Sequence, residues 1–195
     1  MTSTRIRDPA LLADSWPLLH AHSLTIRGLE PAHADLEVRF GLALSKESRY
    51  ERFHGGGVKL TPELLARLVN VDYARDAALI ATVALGGVET PVGVARYALA
   101  DDGVSAEVAV TVADAWQGCG VGRLLLERVI EIARRNGVRR VTGDVLATNA
   151  RMLALAHRTG FRIDLHPDGA ELRRIDRELD DAPAAPDAPL ALTEA

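Results

Sequence analysis

The chain of 195 residues is 48% hydrophobic and 26% charged, which is typical of one soluble globular domain with a sizeable core. Its net charge of −4 gives no reason to expect attraction to nucleic acid or anionic lipid, and no apolar run approaches the ~20 residues that cross a membrane. One cysteine permits no internal disulfide and six histidines show no metal-ligand spacing, so we expect a cytoplasmic protein without a bound metal.

The first part of the chain is predicted to contain an arm, one strand and three helices. Residues 1–23 form the arm, in which a short helix could pack on the domain. A strand is expected at Ser23–Arg27. Hydrophobic spacing and capping residues predict helices at Ala32–Leu44, from the cap Ser45 to Phe53, and from the cap Thr61 to about Asn70. The glycines at 55–57 form either a surface connection or part of a lid.

Three strands should follow as an antiparallel meander. Two of them are expected at Ala77–Leu85 and Pro91–Leu99, joined by a turn at Gly86-Gly87, and the third ends at Val112. Alternation in the third strand predicts two faces, one with Val108, Val110 and Val112 and the other with Glu107, Ala109 and Thr111.

The third strand leads into a glycine-rich turn, QGCGVGR at Gln117–Arg123, which precedes a long amphipathic helix. Glycines let the backbone amides point outward, and a helix start adds about half a positive charge, so the turn predicts a phosphate cradle. A nucleoside-triphosphate loop is excluded because no Gly-Lys-Ser/Thr follows. A dinucleotide fingerprint is excluded because Arg123 stands where its third glycine is required.

The remaining elements predict a parallel crossover and a closing pair of strands. The long helix should end at Asn136-Gly137, and a strand at Val138–Leu146 then completes a right-handed strand, helix, strand unit. A second helix begins at Asn149, and the closing strands are expected at Phe161–Leu165 and Ala170–Ile175. Residues 180–195 are rich in proline and alanine and are predicted to be a disordered tail, which leaves a domain at 24–179.

Two motifs in register carry a family resemblance. The QxxGxG of the turn is followed by NxxMxxLxxxxGF, formed by Asn149, Met152, Leu155, Gly160 and Phe161. Over residues 24–166 the order of elements and motifs resembles the GNAT superfamily of N-acetyltransferases. The resemblance implies an α/β fold whose mixed central sheet, a meander followed by a parallel crossover, is flanked by helices. It also implies acetyl-CoA as co-substrate and an amine as acceptor.

A second resemblance concerns the acceptor. Leu44–Phe53, LSKESRYERF, and the later Val71-Asp72-Tyr73 resemble the Pat-type bacterial protein lysine acetyltransferases, which implies a lysine of a protein, for example an acyl-CoA synthetase. Two features differ: His54 replaces an aromatic residue, and the chain is too short for the cyclic-nucleotide-binding or synthetase-like domain of many such proteins. A small-molecule amine acetyltransferase and a non-catalytic acyl-CoA-binding module remain as alternatives.

The GNAT resemblance also implies the roles of individual residues. Glu107 corresponds to the general base, which is needed because a lysine of pKa ~10.4 is protonated at pH 7; by itself it would read as a solvated strand residue. Asn149 would reach the pantetheine arm, although it is also an ordinary helix cap. The implied coenzyme A contacts are the strand backbone at Val110, Thr111 and Val112 and the turn residues Gln117, Gly118, Cys119, Gly120, Val121, Gly122 and Arg123.

Other candidates for chemistry are weaker. Relatives often place a tyrosine acid where this chain has Ala156, and the neighbouring His157 points about 100° away around the helix. Cys119 has no general base at a recognisable spacing, so direct transfer is favoured over a covalent intermediate. Arg123 contacts phosphate or pairs with Glu127. The basic residues at 134–135 and 139–140 complement the helix dipole or bind the 3′-phosphate of coenzyme A.

Overall fold

A computed structural model describes residues 7–17, 23–53 and 60–179, and these form a mixed sheet flanked by helices. The eight strands have the spatial order β1-β2-β3-β4-β5-β6-β8-β7. Only β5 and β6 are parallel among these strand pairs, so the predicted meander and crossover are confirmed. The strands are β1 Asp14–Pro17, β2 Ser23–Gly28, β3 Ala77–Leu85, β4 Val88–Leu99, β5 Ser105–Val112, β6 Arg140–Leu146, β7 Arg162–His166 and β8 Gly169–Glu178.

Within the described residues, five α-helices cover the two faces of the sheet, close to their predicted positions. They are α1 Ala34–Ala43, α2 Lys46–Phe53, α3 Pro62–Val69, α4 Val121–Arg135 and α5 Ala150–Arg158. The predicted caps are present: Thr61 Oγ1 accepts from the Leu64 amide at 3.2 Å, and Ser45 Oγ accepts from the Ser48 amide at 3.1 Å. None of the helices in the described ranges combines the length and the apolar composition needed to cross a bilayer.

The two faces of the sheet hold separate hydrophobic clusters. The larger cluster packs α4 and α5 against one face, and the smaller one packs α1 and the end of α3 against the other. Helix α4 buries the predicted residues Val121, Leu125, Val129, Ile132 and Ala133. The predicted alternation along β5 is present: Val108 lies in the larger cluster, and Glu107 lies on the opposite face of the sheet, where it is exposed.

The N-terminal arm is part of the sheet, which differs from the expected helix. Within residues 7–17, the described part of the arm, Pro9–Leu12 forms one 3₁₀ turn and Asp14–Pro17 forms the edge strand β1 against β2. Trp16 and Leu12 are buried in the larger cluster. Gly28 permits this packing, because a Cβ there would lie 2.6 Å from Pro9 Cβ. Hydrophobic burial therefore fixes the arm, although its sequence has too few residues for a strand pattern.

The closing strands pair as predicted, but their order in the sheet could not be foreseen. The last strand, β8, lies between β6 and β7 and bonds to both. The predicted glycine break at 55–57 and the predicted tail at 180–195 lie outside the described residues.

Candidate active site

The parallel strands β5 and β6 separate halfway along their length. They pair only where Ser105–Glu107 lies beside Arg140–Thr142, whereas β6 stays paired with β8 as far as Leu146. Gly143 permits the close approach at this point, because a Cβ there would lie 2.9 Å from the Val108 carbonyl oxygen. A gap therefore opens in the sheet beyond Glu107, with β5 and β6 as its walls.

The edge of β5 that faces this gap carries the predicted backbone contacts. The Ala113 amide donates to Val92 of β4, so alternation turns the polar groups of Val110 and Val112 away from β4 and toward the gap. The Val112 carbonyl already accepts a hydrogen bond from Gln117 Nε2 at 3.1 Å. Thr111 is partly buried and lies on the same face as Glu107. Val110 thus has the more available backbone for a ligand in the gap.

The glycine-rich turn has the open geometry expected of an anion cradle. Gly118 and Gly120 have φ values of +78° and +88°, which favour glycine, and a Cβ at either position would meet nothing within 4 Å. Among the described residues, the amides of 118–123 donate no hydrogen bond, and Gly120 caps α4 without a side-chain bond. Outward amides at a helix start fit a pyrophosphate.

The side chains of the cradle differ in their availability. Val121 is fully buried, so only its backbone could contact a ligand. The cradle packs closely on the core at Gly122, where a Cβ would lie 3.3 Å from Val112 Cγ2. Arg123 is exposed and binds Glu127 through Nε at 2.8 Å, which is a weak surface pair. Cys119 Sγ lies 3.8 Å from the Gln117 carbonyl oxygen and is partly buried.

Glu107 is the last residue of β5 that pairs with β6, and it lies at the opening of the gap. Its side chain is exposed, and within the described ranges it has no hydrogen bond or ion pair. A carboxylate among alanine and valine residues would be expected to be partly buried or held by a basic neighbour, and the described residues show neither for Glu107. The reason is that Glu107 lies opposite Ala98 and Thr142, which leave it open to water.

Asp114, which the sequence analysis did not identify, links the cradle to α2. Its carboxylate accepts from the Ser45 amide and hydroxyl at 2.9 and 2.8 Å, and from the Ser48 hydroxyl at 2.9 Å. Burial raises the pKa of the Asp114 carboxyl, but these hydrogen bonds outweigh it and hold the pKa below its ordinary value. The two serines of the LSKES motif were the sequence feature that could have indicated this link.

Gln117 makes protein contacts instead of presenting its amide to a ligand. Its Nε2 donates to Ser48 Oγ at 3.2 Å, and its Oε1 accepts from Arg151 Nη1 at 2.5 Å. The predicted pyrophosphate contact of Gln117 is therefore limited to its backbone in this arrangement. Arg151, at the start of α5, is a second residue that the motifs did not indicate.

Glu51 adds a carboxylate beside these residues. It is partly buried on α2, and burial, followed by repulsion from Glu47, raises its pKa; Arg151 lowers it and Asp114 raises it further. The charges of Arg151 and Asp114 therefore act on Glu51. It is a rival to Glu107 for proton transfer.

Arg52 of the LSKESRYERF segment joins α2 to α1. Arg52 forms a buried ion pair with Glu37 of α1, and its guanidinium carbon lies 5.1 Å from the ring centroids of both Phe40 and Phe53. Arg52 therefore has a packing role that the sequence resemblance did not reveal.

The other predicted residues take structural positions. Asn149 caps α5, because its Oδ1 accepts from the Met152 amide at 2.9 Å. Ala156 is buried, and His157 is exposed. Part of the basic run is in ion pairs: Arg134 and Arg135 with Glu131, and Arg140 with Asp176. No metal-binding group of three His, Cys, Asp or Glu side chains occurs in the ranges 7–17, 23–53 and 60–179.

Comparisons with known proteins match this architecture. Residues 48–161 match the family model of the acetyltransferase (GNAT) family. The acetyltransferase PA5475 of Pseudomonas aeruginosa is 34% identical over 161 residues, which are 82% of this chain and 87% of that relative. The GNAT domain of S. lividans PAT superposes with a TM-score of 0.79 at 27% identity, over 88% of this chain and 99% of that one. YncA of Salmonella typhimurium, solved with its cofactor acetyl-CoA, superposes with a TM-score of 0.62 at 25% identity, over 85% and 98% of the two chains.

Proposed function

Because the chain belongs to the acetyltransferase (GNAT) family, and is therefore an acyltransferase that uses acetyl-CoA, we propose that it transfers acetyl directly to a protein lysine. An acyl-CoA synthetase is one such protein acceptor, and Glu107 is the proposed general base. The observation that carries the proposal is the gap between β5 and β6, which opens at Glu107 and ends at a cradle of unbonded amides.

The residues of the gap fit acetyl-CoA in two parts. The amides of 118–123 would hold the pyrophosphate, with Arg123 adding positive charge, and the Val110 backbone would pair with the pantetheine as an added strand. The Asn149 side-chain amide nitrogen has no hydrogen bond to the described residues while its Oδ1 caps α5, so Asn149 can serve both proposed roles. When bound, acetyl-CoA supplies an electrophilic thioester carbonyl and a thiolate leaving group.

Glu107 would remove the proton that keeps the acceptor lysine unreactive. A lysine side chain has a pKa of ~10.4, which is about 3.4 units above pH 7. It is therefore almost entirely protonated, and a general base contributes substantially. The exposed position of Glu107 lets the proton pass directly or through one water. Because Ala156 offers no proton donor, solvent would protonate the departing thiolate, which is tolerable for a thiol of pKa ~8.5.

The choice of a protein lysine rests on two observations. Glu51 interacts electrostatically with the carboxylates of Glu47 and Asp114 and with the guanidinium of Arg151, and the excess of negative charge among these four groups would attract a cationic side chain. The GNAT domain of S. lividans PAT has the same architecture over nearly its whole length. The lone cysteine and the co-substrate are consistent with a reaction in the cytoplasm.

The test is to incubate the protein with acetyl-CoA and a lysate depleted of small metabolites, and to map new acetyl-lysines by mass spectrometry. Glu107→Gln is the matched control. We expect acetyl-lysines that require wild-type protein and are strongly reduced with Glu107→Gln. Turnover on free amines without protein acetylation would overturn the protein acceptor, and coenzyme A binding without any turnover would indicate a binding module.

A further inference from the structure

We propose that Ser48 is a positioning residue for acetyl-CoA, which sets the orientation of the glycine-rich turn by joining α2 to Gln117. This inference rests on the proposed function of the turn. It assigns to the LSKES segment a role at the co-substrate site, through the hydrogen bond between Ser48 and Gln117.

The buried Ser48 hydroxyl lies at the centre of a partly buried hydrogen-bond network. Ser48 is 4% exposed, and its Oγ donates to Asp114 Oδ1 at 2.9 Å while it accepts from Gln117 Nε2 at 3.2 Å. One donated and one accepted bond use the hydroxyl hydrogen and one lone pair. An alanine at this position would remove both the hydrogen bond to Asp114 Oδ1 and the hydrogen bond from Gln117 Nε2.

The Gln117 side chain connects Ser48 to the elements that line the gap. The same Nε2 donates to the Val112 carbonyl at the end of β5, and Oε1 accepts from Arg151 at the start of α5. The side chain thus ties the turn to α2, β5 and α5 at once. Its orientation depends on Ser48, because an amide with three partners has one arrangement that satisfies them all.

The turn needs such an anchor because its own backbone supplies few restraints. Gly118 and Gly120 follow Gln117 at positive φ with open space around them, and the amides of 118–123 have no hydrogen bonds within the described part of the chain. A segment of this kind is mobile unless a neighbour fixes it. Fixed amides bind phosphate better than mobile ones because less ordering is required on binding.

The experiment compares coenzyme A binding by calorimetry in wild type, Ser48→Ala and Ser45→Ala. Ser45 is the matched control, since it donates to the same Asp114 and caps the same helix but does not contact Gln117. We expect Ser48→Ala to weaken the Kd about three- to tenfold. Ser45→Ala should lower the Tm while changing the Kd less than about twofold. Equal Kd changes in the two variants would overturn the inference.

Two further measurements keep the outcomes separate. In the Ser48→Ala background, Gln117→Ala should add little to the loss of affinity, whereas fully additive losses would show that Gln117 acts independently. If Ser48→Ala does not fold, Gln117→Ala in the partly exposed turn breaks the same bond, and an unchanged Kd would overturn the inference. Wild-type protein that binds no coenzyme A would instead overturn the proposed function.

Discussion

Glu107 has an exposed carboxylate and is the last residue of β5 that pairs with β6. We expect Glu107→Gln to lower kcat roughly 10²- to 10⁴-fold, because glutamine cannot accept the amine proton. The Kd for coenzyme A from calorimetry and the Tm should stay near their wild-type values, since the replaced side chain has no described hydrogen bond.

Glu51→Gln is the informative comparison for this result. It changes the rival carboxylate, whose raised pKa follows from its partly buried position on α2. We expect a smaller loss of kcat than for Glu107→Gln. A larger loss of kcat in Glu51→Gln, with Glu107→Gln nearly as active as wild type, would show that Glu51 is the general base.

Sequence reasoning identified the residues whose function depends on local pattern. The cradle glycines and the Asn149 cap follow from short motifs, because turn geometry and capping are determined by nearby residues. Asp114, Ser48 and Arg151 were missed as a network, because their hydrogen bonds join positions 34 to 69 residues apart in the chain. Only the fold brings such positions together.

At the level of elements, the gap depends on the close contact between β5 and β6 at Gly143. An alanine Cβ would lie 2.9 Å from the Val108 carbonyl oxygen and 3.3 Å from Ile175 Cγ1, so the strands would have to move apart. We expect Gly143→Ala to reduce the free energy of unfolding by about 1–3 kcal/mol, measured by urea denaturation. Coenzyme A binding should weaken as well, because the width of the gap changes.

Gly41→Ala is a control that makes the same substitution but should have the opposite effect on the free energy of unfolding. Gly41 lies in α1, and the nearest atom to an added Cβ, Leu60 Cδ2, is 3.7 Å away. Alanine should therefore stabilise the protein by up to about 1 kcal/mol through helix propensity. A Gly143→Ala variant as stable as wild type would contradict the close contact between the two strands.

The elements themselves were largely predictable, whereas their neighbours were predictable only where connections are short. The turns at 86–87 and 101–103 are short enough to dictate the meander β3-β4-β5, and the crossover through α4 dictates that β6 is parallel to β5. The sequence does not indicate that β8, and not β7, lies beside β6. The arm was also misjudged, because its edge strand has only four residues.

At the scale of the whole molecule, the pH dependence of stability contains an identifiable contribution from Asp114. Its pKa is lowered on folding, so it stabilises the folded state above the ordinary aspartate pKa of ~3.9, and this stabilisation is lost as pH falls through the folded value. We expect Asp114→Asn to be less stable than wild type above about pH 5, with the difference shrinking below about pH 4. Urea denaturation over this pH range provides the measurement.

Glu51→Gln should change the pH dependence in the opposite direction. The raised pKa of Glu51 means that wild type loses stability as pH rises through it, so the variant should gain relative to wild type over that interval.

A difference in the free energy of unfolding between wild type and Asp114→Asn that widens in acid would contradict the role of Asp114.

The interior position of β8 affects how the protein is made. During translation β6 and β7 leave the ribosome before β8 does, and neither has its β8 partner until Gly169–Glu178 has emerged. The nascent chain therefore carries an exposed β6 edge while synthesis continues, at a stage when intermolecular pairing is a hazard. Chaperone dependence should accordingly be greatest in the interval between the emergence of β6 and that of β8.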